Sequence, residues 1–304
     1  MVGLALLYFG AEALVRGSSR LALAIGVRPL VVGMTVVAFA TSMPEMMVSL
    51  AAVFKDSSNL AAGNVIGSNI ANIGLILGAT ALLAPMAVAR GTLTREIPIM
   101  LAASLAVFLM ALDGQLGRLD GLLLVSGLII FLGYCYITSR KALAYVNEST
   151  AKTESVGPPG RNFLLILIGI VGLGAGAELM VRSAVFMARY LGISDLIIGV
   201  TVVALGTSLP ELAASAVSAW KGEADLSVGN IIGSNIFNIF FVLGFCSLVR
   251  PITIESGILR YELPLMLFFS LALWPLVQRR LRLGRTEGGL LLVGYLVFII
   301  YYLL

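Results

Sequence analysis

The sequence predicts an all-α membrane protein that crosses a lipid bilayer many times. Hydrophobic residues make up 59% of the 304 residues, charged residues make up 12%, and the mean hydropathy is +1.03. Soluble domains carry about 25% charged residues, so a chain of this composition would lack the polar surface it needs in water. Its apolar residues also form runs of about 20, the length that an α-helix needs to span a bilayer.

Ten such runs predict ten transmembrane helices. They cover residues 1–24, 29–54, 60–84, 96–112, 119–138, 163–188, 195–219, 226–249, 261–278 and 287–304. The first run contains Glu12 and Arg16 and lacks a small-residue cleavage site, so we interpret it as a spanning helix rather than a signal peptide. The longest polar stretch, 139–162, is interpreted as a linker because it is too short for a folded domain of about 50 residues.

The two sides of this linker repeat one another. The segment TSMPE at 41–45 matches TSLPE at 207–211, and GNVIGSNIAN at 63–72 matches GNIIGSNIFN at 229–238. In both motifs the offset is 166 residues, which is the distance from 45 to 211 and from 72 to 238.

This repetition predicts two five-helix repeats, 1–138 and 163–304, with the linker between them. Because five is an odd number of spans, the second repeat must enter the membrane from the opposite side. Inverted repeats are typical of secondary transporters whose binding site lies near the bilayer midplane.

Loop charges predict the orientation of the chain. Cytoplasmic loops carry an excess of Lys and Arg, and most such residues outside the spans, including Arg28, Arg95 and Lys221, fall on the side of the linker. We therefore expect the linker in the cytoplasm and both termini outside, in a cell membrane of prokaryotic type. The chain has no basic patch with interleaved aromatic residues, so no nucleic-acid partner is expected.

Glu45 and Glu211 each lie in the middle of an apolar span, directly after a proline. A charge at the bilayer centre costs about 2.5–3.5 kcal/mol and usually has a function. At matched positions of inverted repeats, the two carboxylates would converge near the middle of the membrane. Carboxylates at close range repel each other, and a divalent cation would neutralise both at once.

The prolines and the nearby polar residues complete a candidate cation site. Pro44 and Pro210 should kink or break their helices beside the glutamates. Oxygen-bearing side chains recur around them: Thr41, Ser42, Ser68 and Asn72 in the first repeat, and Thr207, Ser208, Ser234 and Asn238 in the second. Hydroxyls, amides, carboxylates and carbonyls are hard oxygen donors, of which Ca²⁺ takes about 6–8. We therefore predict a Ca²⁺ or Na⁺ site rather than a zinc or copper site.

Other residues of the repeats are given structural roles. Small residues four apart favour close packing of helices, buried amides favour interhelical hydrogen bonds, and opposite charges four apart favour a self-neutralising pair. The residues interpreted in this way are Gly63 with Gly67, Gly229 with Gly233, Asn64, Asn230, Glu12 with Arg16, and Glu178 with Arg182.

At its paired T-S-x-P-E and G-N-x-I-G-S-N motifs the sequence resembles the sodium/calcium exchanger branch of the cation/calcium antiporters. The resemblance covers nearly the whole chain and implies four ion sites between the two broken helices and their partners, with Glu45 and Glu211 as shared carboxylates. It also implies that the first and sixth helices slide across the other eight. The implied ligands are Thr41, Ser42, Ser68, Asn72, Thr207, Ser208, Ser234 and Asn238, with carbonyls from Ala38 and Ala204.

The sequence departs from the pattern of that family at two positions. Ala40 stands where the family usually has Gly, beside the break. Asn238 occupies a position that is Asp in some members, including potassium-dependent ones, and with Asn72 it leaves only two carboxylates, which disfavours potassium dependence. Proton-coupled relatives usually carry G-N-x-x-E instead, so the T-S-x-P-E motif favours sodium.

The resulting hypothesis is a secondary-active antiporter that exchanges Na⁺ for Ca²⁺ by alternating access at Glu45 and Glu211. No catalytic residue and no cofactor are expected, because the spans hold no nucleophile–base pair. The expected partners are the two transported ions and the bilayer, and a monomer should suffice. Two alternatives stay open: a Ca²⁺/H⁺ antiporter that uses the same glutamates, and a cation channel lined by them.

Overall fold

The computed structural model describes residues 1–146, 159–191 and 204–303, and these residues are helical almost throughout. The helices are α1 (Val2–Ile25), α2 (Pro29–Thr41), α3 (Met43–Phe54), α4 (Ser58–Leu83), α5 (Thr92–Asp113), α6 (Arg118–Val146), α7 (Pro159–Tyr190), α8 (Ala204–Thr207), α9 (Leu209–Trp220), α10 (Ala224–Val249), α11 (Ile258–Gln278) and α12 (Arg285–Leu303).

Six helices of the described chain are long and apolar enough to cross a membrane, namely α4, α5, α6, α7, α10 and α11. The number becomes seven if the bent pair α2–α3 is one span. Helix α1 is not among them, and it carries Glu12, Arg16 and Arg20. The predicted span 195–219 lies partly outside the described residues. A multi-pass helical membrane protein is confirmed, and the count of ten spans stays a prediction.

Both predicted breaks occur two residues before the proline of the T-S-x-P-E motif, at Ser42 and Ser208. Helix α2 ends at Thr41, α3 begins at Met43, and the two are bent by 43°. In the same way α8 gives way to α9 at Ser208. Each proline lies in the first turn of the new helix, where the missing N–H costs no hydrogen bond. The prolines therefore begin a second helix instead of kinking a continuous one.

Wide π-helical segments interrupt the helices that carry the second motif. They run from Asn72 to Leu77 in α4 and from Asn238 to Leu243 in α10. Segments of this kind are rare and occur frequently at functional sites. Both begin at the asparagine that ends the G-N-x-I-G-S-N-x-x-N sequence, and this placement was not evident from the sequence.

Helices α4 and α10 form the centre of the protein. In each, 78% of the most apolar 18-residue stretch is buried within the protein, compared with 22% for α6. Gly229 and Gly233 approach the backbone of α2 so closely that an added Cβ would lie 2.6 Å from a backbone atom. A Cβ at Gly63 or Gly67 would meet no described atom within 4 Å. Close packing is therefore confirmed for the second glycine pair, whereas the matching partners of the first fall within 192–203.

Two short antiparallel ladders join the halves of the sequence. Strand β1 (Met86–Ala87) pairs with β4 (Arg282–Leu283), and β2 (Gln115–Leu116) pairs with β3 (Ile252–Thr253). The main hydrophobic core also draws on both halves. The described residues 1–146, 159–191 and 204–303 consequently share one interior, and that interior surrounds the candidate site.

Candidate cation site

The structure brings Glu45 and Glu211 together in the interior. Both side chains are 0% exposed, and the carboxylates are close enough for their charges to interact. They lie in the first turns of α3 and α9, directly after the breaks at Ser42 and Ser208. The first turn of a helix favours negative charge, because its backbone N–H groups lack intrahelical partners. Each break therefore creates a helix N-terminus, and this terminus favours the negative charge of the glutamate that follows it.

Each glutamate is approached by hydroxyl groups of the other broken helix. Ser208 Oγ donates a hydrogen bond to Glu45 Oε1 at 3.2 Å, and Thr207 also interacts with this carboxylate. Thr41 and Ser42 lie beside Glu211. The carboxylate of one half is thus combined with the T-S hydroxyls of the other, an arrangement that the linear motifs do not reveal.

Several buried polar atoms in this region have no hydrogen bond within the described residues. They are Oε2 of Glu45, both carboxylate oxygens of Glu211, Oγ of Ser42, Oδ1 of Asn238 and both amide atoms of Asn72. A buried polar group without a partner costs about 1–3 kcal/mol. The clustering of so many oxygens without partners indicates a place for a bound cation, and all of them are of the type that Ca²⁺ and Na⁺ accept.

The remaining predicted hydroxyls are also buried in this region. Ser68 Oγ lies 3.5 Å from Ser208 Oγ, and Ser234 Oγ lies 3.4 Å from Thr41 Oγ1. Thr41 Oγ1 donates to Asn230 Oδ1 at 3.1 Å. These contacts join the helix of each G-S-N motif to the broken helix of the opposite half.

The structure gives a hydrogen-bond partner for one of the two predicted carbonyl ligands, and the other lies at the edge of the described chain. The carbonyl of Ala38 accepts a hydrogen bond from the backbone N–H of Ser42 at 2.9 Å. The same carbonyl lies 3.4 Å from Thr41 Oγ1, whose single proton has a nearer acceptor in Asn230 Oδ1 at 3.1 Å. When Thr41 donates to Asn230, a lone pair of the Ala38 carbonyl is left for a cation. Ala204 is the first residue of α8, and residues 192–203 before it lie outside the described chain.

The second-motif asparagines Asn64 and Asn230 support the backbone of the glutamates. Asn64 Nδ2 donates to Ser49 Oγ at 3.0 Å and to the carbonyl of Glu45 at 3.3 Å. Asn230 Nδ2 donates to Ser215 Oγ at 2.9 Å and to the carbonyl of the α9 glutamate at 3.5 Å. The interpretation of both asparagines as interhelical hydrogen-bond formers is confirmed.

Sequence reasoning missed the two serines in this support. Ser49 and Ser215 follow the glutamates by four residues, and each is 0% exposed. Their recurrence at the 166-residue offset was a signal that could have identified them. They make no contact with a carboxylate, so their contribution is to position the helix that carries it.

The polar groups described around the two glutamates are mainly oxygen donors. Within the described residues, no ion pair involves either glutamate, and no group of three or more His, Cys, Asp and Glu side chains is found. The predicted pairs Glu12–Arg16 and Glu178–Arg182 form on α1 and α7, at 2.5 and 2.6 Å. The electrostatic environment therefore leaves the two negative charges for a mobile cation to neutralise.

Both carboxylates are buried away from the large cavity found among the described residues. A cavity of about 1080 Å³ lies between α4, α11 and α12, and it is lined by none of the predicted site residues. Because both glutamates are 0% exposed, an ion could reach them only after a movement of the surrounding helices.

Comparisons with known proteins give the family, the relatives and the solved structures that this chain is similar to. The family model for sodium/calcium exchanger protein covers residues 1–137 and 161–304. Putative antiporter CaxA of Alkalimonas amylolytica is 40% identical over 303 residues, which is 97% of this chain and 95% of CaxA. Sodium/calcium exchanger MaX1 of Methanosarcina acetivorans is 31% identical over 336 residues, covering 99% and 96%. A structure of the sodium-calcium exchanger NCX_Mj, soaked with zero Na⁺ and Ca²⁺, has a TM-score of 0.85 at 34% identity, covering 99% of this chain and 96% of its own.

Proposed function

The chain belongs to the sodium/calcium exchanger family, and on this premise we propose that it exchanges Na⁺ for Ca²⁺ at Glu45 and Glu211 by alternating access. Membership makes it a membrane transporter that couples Ca²⁺ to another cation, and not an enzyme. The observation that carries the finer proposal is the buried carboxylate pair, three of whose four oxygens have no hydrogen bond within the described residues.

The donor set suits the two ions. Two carboxylates match the charge of one Ca²⁺, and the surrounding hydroxyls, amides and carbonyls supply the rest of the about 6–8 oxygens that it takes. The ligands proposed beside the glutamates are Thr41, Ser42, Ser68, Asn72, Thr207, Ser208, Ser234, Asn238 and the carbonyls of Ala38 and Ala204. Na⁺ ions would compete for the same oxygens.

The negative charges of the two glutamates would also explain why the protein exchanges ions instead of transporting one ion alone. Moving two bare carboxylates past a hydrophobic gate would cost about 5–7 kcal/mol, twice the figure for one charge. At 1.36 kcal/mol per tenfold change, this slows the empty carrier by about three to five powers of ten. With Ca²⁺ or Na⁺ bound, the charge is neutralised and the movement is permitted.

The proposed architecture is ten spans in two inverted repeats, 1–138 and 163–304. It is supported by the recurrence of the broken helix and of the Asn–Ser contact at an offset of 166 residues. The linker 139–162 would lie in the cytoplasm and both termini outside, in the inner or plasma membrane. Because one chain supplies both carboxylates, a monomer would be sufficient for transport.

Sodium is the proposed coupling ion. The T-S-x-P-E motif and the relatives named as sodium/calcium exchangers support this choice. The amides of Asn72 and Asn238 leave the site with two carboxylates, which argues against a requirement for potassium.

The test is ⁴⁵Ca²⁺ uptake into proteoliposomes in which Na⁺, K⁺ and pH gradients are varied separately. We expect uptake that requires Na⁺ inside the vesicles, persists when the pH gradient is collapsed and is indifferent to K⁺. Uptake that follows the pH gradient and ignores Na⁺ would replace the proposal with Ca²⁺/H⁺ antiport. Single-channel currents would instead indicate a channel.

A further inference from the structure

We infer that Asn69, a residue outside the predicted ligand set, orients the amide of Asn238 so that its oxygen is presented to the transported cation. This inference rests on the proposed function, since it needs a cation at Asn238. Asn69 would act as a positioning residue that does not itself touch the ion.

The hydrogen bond between the two side chains determines the orientation. Asn238 Nδ2 donates to Asn69 Oδ1 at 3.1 Å, and the two side chains are 0% and 1% exposed. The two ends of an amide have nearly the same shape, but only the oxygen can bind a cation. Because Nδ2 is held by Asn69, the other end of the Asn238 amide is its oxygen, which has no hydrogen bond in the described chain.

Asn69 is itself held in the required orientation. Its Nδ2 lies 3.4 Å from the carbonyl of Asn235 and 3.6 Å from Sδ of Met266, and it donates to both. Since these acceptors take the NH₂ end, Oδ1 of Asn69 is the end left for Asn238. The backbone carbonyl of Asn235 in α10 thus orients Asn69 in α4, and Asn69 in turn orients the amide of Asn238.

The matching position of the other half does not do the same. Asn235, which corresponds to Asn69, donates to the carbonyl of Ile231 in its own helix at 2.9 Å. Asn72, which corresponds to Asn238, has no described partner for either amide atom. Two motifs of nearly identical sequence therefore produce one amide held by a neighbouring side chain and one amide without a hydrogen bond in the described chain.

This asymmetry supplies a matched control. Partners that orient a metal ligand typically contribute about 10–100-fold to metal affinity. We expect Asn69→Ala to raise the Ca²⁺ concentration for half-maximal binding about tenfold, with a similar effect for Na⁺. Asn235→Ala should change it by less than about twofold, because among the described residues its side chain bonds only within its own helix, and its backbone carbonyl, which holds Asn69, is kept.

A second background distinguishes orientation from general structural support. In Asn238→Asp the ligand carries an oxygen at both ends, so its orientation no longer matters. Oδ1 of Asn69 would then face a carboxylate oxygen, and two acceptors cannot bond. Adding Asn69→Ala to Asn238→Asp should therefore leave the affinity unchanged or raise it, which is a coupling that a double-mutant cycle measures directly. An equal loss in both backgrounds, or no loss with Asn238 intact, would overturn the inference.

The measurement is Ca²⁺ binding to the purified full chain in detergent by isothermal titration calorimetry, with ⁴⁵Ca²⁺ flux in parallel. If Asn69→Ala does not fold, Asn69→Leu removes the acceptor while keeping most of the volume, and the same tenfold loss is expected. Wild-type protein that binds Ca²⁺ but shows no Na⁺-driven flux would refute exchange alone. Wild-type protein that binds no Ca²⁺ would refute both proposals.

Discussion

Ser208 Oγ donates a hydrogen bond to Glu45 Oε1 at 3.2 Å, between residues 163 positions apart in the sequence. The bond joins the break of one half to the carboxylate of the other. Thr41 and Ser42 lie beside Glu211 in the matching arrangement, but neither carboxylate oxygen of Glu211 has a hydrogen bond of suitable distance and angle within the described residues. The two glutamates therefore occupy equivalent positions in the repeats but have different surroundings, and the predictions below use this difference.

Replacing either glutamate by glutamine should abolish Na⁺-driven ⁴⁵Ca²⁺ uptake. Each change keeps the shape of the side chain and removes one of the two charges that match Ca²⁺. Glu178→Gln is the control, because Glu178 is a partly exposed helix residue paired with Arg182 at 2.6 Å, and uptake should stay within about twofold of wild type. Undiminished uptake in both Glu45→Gln and Glu211→Gln would refute the site.

Ser42→Ala and Ser208→Ala should separate ion binding from stability. Ser208 makes a buried hydrogen bond to Glu45 at 3.2 Å, whereas Ser42 Oγ lies beside Glu211 without a hydrogen bond of suitable distance and angle among the described residues. Both changes should weaken Ca²⁺ binding about fivefold to tenfold. In Ca²⁺-free buffer, Ser208→Ala should lower the free energy of unfolding by about 1–2 kcal/mol, while Ser42→Ala should leave it unchanged or raise it.

The measurements for this pair are calorimetric titration with Ca²⁺ and thermal unfolding with a chelator present. Equal destabilisation by the two changes would mean that the Ser42 hydroxyl already has a structural partner. In that case Ser42 would be removed from the ligand set.

Asn230→Ala should destabilise the protein more than Asn64→Ala. Both remove hydrogen bonds to a serine and to a glutamate carbonyl, but Asn230 also accepts from Thr41 at 3.1 Å. Buried groups left without partners cost about 1–3 kcal/mol, so the difference should be about 1 kcal/mol. Thermal unfolding in detergent measures it, and the reverse order of stability would contradict the assigned network.

Gly10→Ala should force α1 away from α7. An added Cβ would lie 2.7 Å from the backbone nitrogen of Leu173, which cannot move without the helix. Overpacking of this kind costs about 1–3 kcal/mol. Gly174→Ala is the matched control, since no described atom lies within 4 Å of its added Cβ and alanine favours a helix by about 1 kcal/mol.

The melting temperatures of these two variants should therefore move in opposite directions. A fall in both would indicate that Gly174 also has a close neighbour. No change at Gly10 would indicate that α1 and α7 are farther apart than described.

Ca²⁺ should raise the melting temperature of the wild-type protein. Binding to the folded state alone adds about 2.7 kcal/mol when Ca²⁺ is 100 times its dissociation constant. The rise should be absent in a variant that combines Glu45→Gln with Glu211→Gln. Mg²⁺ at the same concentration should raise the melting temperature less, because it gives up its water reluctantly. If Ca²⁺ raised the melting temperature of the double variant as much as that of the wild type, the stabilising ion would bind elsewhere.

Much of this arrangement could be predicted from the residues alone. Two glutamates in apolar runs, each after a proline, indicated a membrane-embedded pair, and the constant offset of 166 residues indicated that the pair belonged to one site. The helix breaks followed from proline chemistry. These conclusions depend on composition, periodicity and local backbone rules, which act over a few neighbouring residues.

The contacts across the site could not be predicted in this way. That Ser208 bonds to Glu45, that Thr41 reaches Asn230, and that Asn69 but not Asn235 holds an opposing amide are relationships between helices. The repeated motifs are nearly identical in sequence, so symmetry alone would have made the two sides of the site equivalent. The packing of α4 against α10 made them different.

The sequence by itself determined that this chain lies in a membrane and that its halves repeat, and it predicted two carboxylates as the centre of the chemistry. Those features follow from the free-energy cost of placing charged side chains and unpaired backbone groups in lipid. That cost does not depend on how the helices pack. Only the tertiary structure decided which hydroxyl meets which carboxylate and which amide is held. A hydrogen bond requires two atoms within about 3.5 Å at a suitable angle, and that distance is set by helix packing rather than by any residue alone.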